Sequence, residues 1–61
     1  MANLTTKELN ALSDQLDFEK TLCCKYREAA QACQDQELKP CFQKYAGQHR
    51  QNYDCLLTYL K

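Results

Sequence analysis

Apolar residues recur along this chain in steps of three and four and form two stripes. The first runs Leu9, Leu12, Leu16, Glu19, Cys23, Tyr26, Ala30, Cys33; the second runs Leu38, Phe42, Tyr45, His49, Asn52, Leu56, Tyr59. Such spacing places one buried seam on each of two α-helices. Each stripe is interrupted near its middle by polar residues. If the chain folds back near residues 35 and 36, Glu19 stands level with Asn52 and one turn from His49.

The helix boundaries follow from local chemistry. Leu4-Thr5-Thr6-Lys7-Glu8-Leu9 reads as a capping box, with Thr5 as N-cap, Glu8 three residues on, and Leu4 with Leu9 as the hydrophobic staple. A first helix is expected from about residue 6 to 34, a turn at about 35–37, and a second helix over about 38–60. Asp35 is the expected cap of the second helix, and Glu37 suits its first turn. Pro40 cannot donate the bond a regular helix needs there, so a bent or 3₁₀-like first turn is expected. Gly47 is a weak point that a neighbouring helix can approach closely.

The fold expected is all-α, an antiparallel two-helix hairpin forming a single domain over residues 1–61. Chains this short bury only about 60% of their unfolded surface, so a lone hairpin is marginal. Phe18, Leu22, Ala29, Cys41, Ala46, Tyr53 and Leu57 flank the seams, more apolar surface than one partner helix covers. Homodimerisation into a four-helix bundle is the economical arrangement.

Charge and composition narrow the function. Eight basic and eight acidic residues balance to zero and are mixed along the chain, so no basic stripe marks a nucleic-acid binder. No apolar run is long enough for a membrane span. Met1 leads straight into a helix start without a basic-then-apolar leader, so an intracellular, non-secreted protein is expected. The five cysteines (Cys23, Cys24, Cys33, Cys41, Cys55) are odd in number and form no CxxC pair. Cys23, Cys33 and Cys41 read chiefly as small hydrophobes on or beside the apolar faces. Cys33 and Cys41 flank the turn and are the candidate pair for a hairpin disulfide.

Glu19 lies between Leu16 and Cys23 on its seam, which predicts a buried carboxylate. Such a group costs several kcal/mol unless paired, coordinated or protonated. One reading is a hydrogen-bonded layer with His49 and Asn52 that sets register, as single buried Asn residues do in coiled coils. On that reading Glu19→Leu is expected to keep the helices and either stabilise the bundle or blur its oligomeric state. The alternative is a metal site across a dimer, with Glu19 and His49 as ligands of zinc or a similar ion and Cys23 adding sulfur. Catalysis finds little support, since His49 has no serine partner and no evident oxyanion donor, and no enzyme is expected.

The run Leu4-Thr5-Thr6-Lys7-Glu8-Leu9, mid-helix Glu19, the turn Asp35-Gln36-Glu37-Leu38-Lys39, and the stretch from Phe42 through Tyr45, His49 and Tyr53 to Leu57 resemble the coat-F-like spore coat proteins of endospore-forming bacteria. The resemblance covers nearly the whole chain and implies a reduced branch of the ferritin-like superfamily. Those bundles hold paired metals, iron among them, on a Glu of one helix and Glu-x-x-His of the next. Carried over, Glu19 matches the first-helix glutamate, while the Glu-x-x-His positions fall on His49 and Asn52. Half of that ligand set is therefore absent, which speaks against a di-iron oxidase. The resemblance implies a structural or assembly role in the cytoplasm or spore coat, with other coat proteins as partners. The competing classes are a metal-binding protein and a thiol-rich interaction module.

Overall fold

Thr5 opens the first helix by the chemistry its sequence specifies. Its hydroxyl accepts from the Glu8 amide at 3.1 Å, and the Glu8 carboxylate accepts from the Thr5 amide at 2.9 Å, so the capping box closes on both sides. The computed structural model describes residues 3–60; Met1, Ala2 and Lys61 lie outside the described residues, and with them the ends of the expected domain. Helix α1 runs Thr6–Ala32 and helix α2 Lys39–Leu57, with a 3₁₀ turn at Thr58–Leu60. Among the described residues there is no strand. The protein is an all-α antiparallel hairpin about one helix pair thick, with principal extents of 46 × 16 × 12 Å.

The turn shows where backbone hydrogen bonding decides the boundaries. Helix α1 ends at Ala32, two residues before the expected end, because Cys33 turns to an extended conformation with φ −75° and ψ 125°. Its thiol donates to the Asp35 carbonyl at 3.5 Å. Asp35 Oδ1 accepts from the amides of Glu37 at 2.8 Å and Leu38 at 3.1 Å, the geometry of an N-cap. The turn it caps is separate from the regular helix. Pro40 has no amide to continue the ladder, so α2 restarts at Lys39 with Leu38 as its N-cap and no side-chain cap bond. Cys41 and Phe42 both donate to the Leu38 carbonyl, at 3.0 and 3.3 Å, mixing 3₁₀ and α bonding in that first turn. At the other end, the Thr58 amide and hydroxyl both turn back to the Cys55 carbonyl, so the α-helix tightens to 3₁₀ three residues before the expected end.

The core is a single seam. Leu16, Glu19, Cys23 and Ala30 of α1 are buried, while no residue of α2 is. On α2 the half-buried positions are Phe42, Ala46, His49, Asn52, Tyr53, Leu56 and Leu57, so its packed face is rotated from the second stripe. Leu38, Tyr45 and Tyr59 of that stripe stay exposed. Tyr26 is the hub of the aromatic packing, with ring centroids 5.5 Å from Tyr45, 5.7 Å from His49 and 6.2 Å from Phe42.

The surface is large for the mass. The chain exposes 4988 Å², whereas a compact protein of 7.1 kDa exposes about 4,100 Å². Phe18, at 56% exposure, and Tyr59, at 53%, show where part of that excess lies.

Candidate functional site: a carboxylate layer between the helices

Glu19 faces α2 from the middle of α1 and keeps only 6% of its surface exposed. Its Oε2 lies 2.6 Å from His49 Nδ1 and accepts from Asn52 Nδ2 at 3.3 Å. Its Oε1 accepts from Gln15 Nε2 at 3.0 Å, one turn earlier on α1. A carboxylate only accepts, so His49 carries its proton on Nδ1. The Asn52 carbonyl oxygen in turn accepts from Gln48 Nε2 at 3.1 Å. Five side chains thus form one network, and among the described residues no buried polar side-chain atom is left without a partner.

The hydrogen bond from His49 is the main reason the Glu19 carboxyl titrates below the ordinary glutamate range. Gln15 and Asn52 push the same way. Burial pushes upward but loses, because the cover over this carboxylate is one side chain deep. The imidazole is held twice, by the carboxylate at its edge and by Tyr26 on its face. The two rings are 6° from parallel.

The structure brings Glu19, His49 and Asn52 together. Cys23, one turn along from Glu19, is buried but apart from the network, and its sulfur lies 4.0 Å from Arg27 Nη2. Among the described residues, no group of three or more His, Cys, Asp or Glu side chains is placed to hold a metal ion. Within the single chain, Gln15 and Asn52 present N–H groups to the Glu19 carboxylate, so its oxygens there are engaged by donors. Cys33 and Cys41, the candidate disulfide pair, are free thiols, as are the other three cysteines. Cys24, Cys41 and Cys55 are exposed.

Gln15 and Gln48 belong to the network and lie outside both stripes. Both stand four residues before a layer member, Gln15 before Glu19 and Gln48 before Asn52, and that spacing is the signal that finds them. No protein-family model, curated protein or solved structure matches this chain. No helix of the described residues is long and apolar enough to cross a membrane.

Proposed function

We propose that the chain is a small structural protein whose hairpin pairs with a second copy into a four-helix bundle, using the Glu19 layer to set register. The observation that carries this reading is the layer's place beside an uncovered apolar face. With a helical step of 100° per residue, Phe18, Leu22 and Ala29 lie on the Gln15 side of the α1 seam. Cys41, Tyr45, Gln48, Asn52, Cys55 and Tyr59 lie on the matching side of α2. Phe18, Tyr45 and Tyr59 are each more than half exposed there. The surface above the compact expectation is about 900 Å², close to the roughly 800 Å² that each partner buries in a standard interface.

A second copy on this face covers Asn52, Gln48 and Gln15, whose hydrogen bonds are already made within one chain. Their burial therefore leaves few orphan groups, while a slipped register sets amides against apolar side chains. This is a scaffold's use of a polar layer. It accords with the structural role that resemblance to coat-F-like spore coat proteins suggests, in the cytoplasm or coat of an endospore-forming bacterium. No step of catalysis is assigned to the layer.

Sedimentation equilibrium tests the reading. The expected mass is that of a dimer at micromolar concentration, and Phe18→Asp with Tyr45→Asp is expected to shift it to monomer. A folded, monomeric wild type at these concentrations overturns the proposal. Tracking a tagged copy through sporulation tests the location.

A further inference from the structure

The side of the hairpin opposite the apolar face carries a different surface. A groove of 260 Å³ is lined by Lys20, Cys23, Cys24, Arg27, Arg50 and Tyr53. A second, of 390 Å³, shares Arg27 with it and continues along Ala30, Gln31, Lys39, Gln43 and Ala46. The two adjoin at Arg27 and run in line along one side of the hairpin, a trough between the helices. Its floor exists because the seam is filled there by small side chains, with Cys23 and Ala30 buried on α1 and Ala46 half-buried on α2. The bulky rings of Tyr26, Phe42, Tyr45 and His49 pack among themselves and leave that space open.

Its rim is cationic. Four of the chain's eight Lys and Arg residues line the trough and none of its eight acidic residues does, although the whole chain is neutral. Of these four, Arg50 alone makes an ion pair within 4 Å among the described residues, with Asp54 at 3.4 Å, an exposed pair one turn apart that contributes little. From Lys20 to Gln31 the trough is about 16 Å long at 1.5 Å per residue, or three turns of helix.

We propose that this trough docks an acidic amphipathic helical segment of a partner protein. Apolar anchors of the segment fill the space over Cys23, Ala30 and Ala46, and its carboxylates meet Lys20, Arg27, Lys39 and Arg50 along the edges. Helix-in-groove recognition works through such spaced anchors, with charge setting approach and orientation. A second copy of this chain is a poor occupant. Its acidic residues on α1, Asp14, Asp17 and Glu28, stand among Lys7, Lys20 and Lys25 of the same helix, so a second copy brings like charges to the cationic rim. A nucleic acid is a poor one too, since a neutral chain with an apolar floor offers neither a continuous phosphate track nor a stacking platform beyond Tyr53. The trough lies on the opposite side from the face assigned to self-association, so the proposal stands apart from that reading.

The test uses a three-turn helical peptide with leucines at i, i+3, i+4 and i+7 and glutamates on both flanks, followed by fluorescence anisotropy with the full chain. Binding is expected to weaken with salt. Arg27→Glu and, independently, Ala46→Leu are each expected to weaken it at least about tenfold, a hot-spot loss, whereas Lys44→Glu on the outer face of α2 leaves it unchanged. Helical circular dichroism of each variant confirms the fold. Bound peptide is expected to slow alkylation of Cys24, which lines the trough, and to leave Cys55 unaffected. The proposal fails if the peptide does not bind, if a version with serine for leucine binds as well, or if both trough variants bind like wild type. Tighter binding of an oligonucleotide of equal charge also overturns it.

Discussion

Glu19 gains its stability from three donors on two helices, and each donor has a different fate when the carboxylate is removed. Gln15 is exposed and Asn52 half-buried, so both amides can turn to water. The His49 side chain is only 21% exposed and is pinned by Tyr26, so it loses its acceptor without an easy substitute. Glu19→Leu alone is therefore expected to destabilise by about 1–3 kcal/mol, the penalty for an orphaned partly buried donor. Adding His49→Leu is expected to recover most of that loss, because replacing both members of a buried pair by apolar groups is often neutral. Urea denaturation of Glu19→Leu, His49→Leu and the double variant decides it, and a double variant whose loss equals the sum of the two single losses would show that the pair is uncoupled. This expectation differs from the one drawn from the stripes, in which Glu19→Leu either stabilises the bundle or blurs its oligomeric state.

The same carboxylate sets a pH dependence. Its folded value lies below the ordinary one, so the native state binds the proton less tightly than the unfolded chain does. The stabilisation is present above the ordinary glutamate pKa of about 4.3 and is lost as pH falls through the lower folded value. Thermal melts across acid pH are expected to show this decline in wild type and a shallower one in Glu19→Gln. Identical slopes would remove Glu19 as the cause.

At the scale of elements, the two helix starts differ in how much their own sequence supplies. The capping box of α1 is complete within four residues, and Thr5→Ala is expected to cost about 1 kcal/mol in urea denaturation. In contrast, α2 has no side-chain cap at Leu38, because Asp35 caps the separate turn before Pro40. Gly47 sits inside α2 with no atom within 4 Å of where a Cβ would stand. Helix α1 is thus not what this glycine accommodates. Gly47→Ala is expected to stabilise the protein by roughly 0.5–1 kcal/mol. A loss of stability instead would reveal a close approach by a second copy at that point.

For the whole molecule, the hairpin leaves two sides of unlike chemistry, and its cysteines report on them separately. Cys41 and Cys55 lie on the apolar side with Tyr45 and Tyr59, whereas Cys24 lies on the trough. If the apolar side is covered by a second copy, native alkylation is expected to modify Cys24 fast and Cys41 and Cys55 more slowly, with buried Cys23 slowest. On dilution to monomer the rates at Cys41 and Cys55 are expected to rise. Uniform labelling of the three exposed thiols at every concentration would place the interface elsewhere. A radius of gyration of 14.3 Å, against about 10.5 Å for a compact chain of this length, gives scattering an independent handle on the same question.

Local rules were enough to read the two helices, the capping box, the polar break at Glu19 and the 3₁₀-like first turn at Pro40, because each depends on residues within a turn or two of one another. The pairing of Glu19 with His49 and Asn52 was readable only as an alignment of levels across the fold-back. Which side of each seam faces its partner is a matter of rotation about the helix axis, and a periodic stripe leaves that angle loose by the width of a side chain. The packed hairpin settled it. It turned Ala46, Tyr53 and Leu57 inward and Tyr45 and Tyr59 outward, drew Gln15 and Gln48 into the network, and separated Cys23 from it. The trough belongs wholly to tertiary structure. Small residues on one helix leave a void only when small residues on the other stand opposite, and that coincidence, like the four cations around it, exists only once the helices meet.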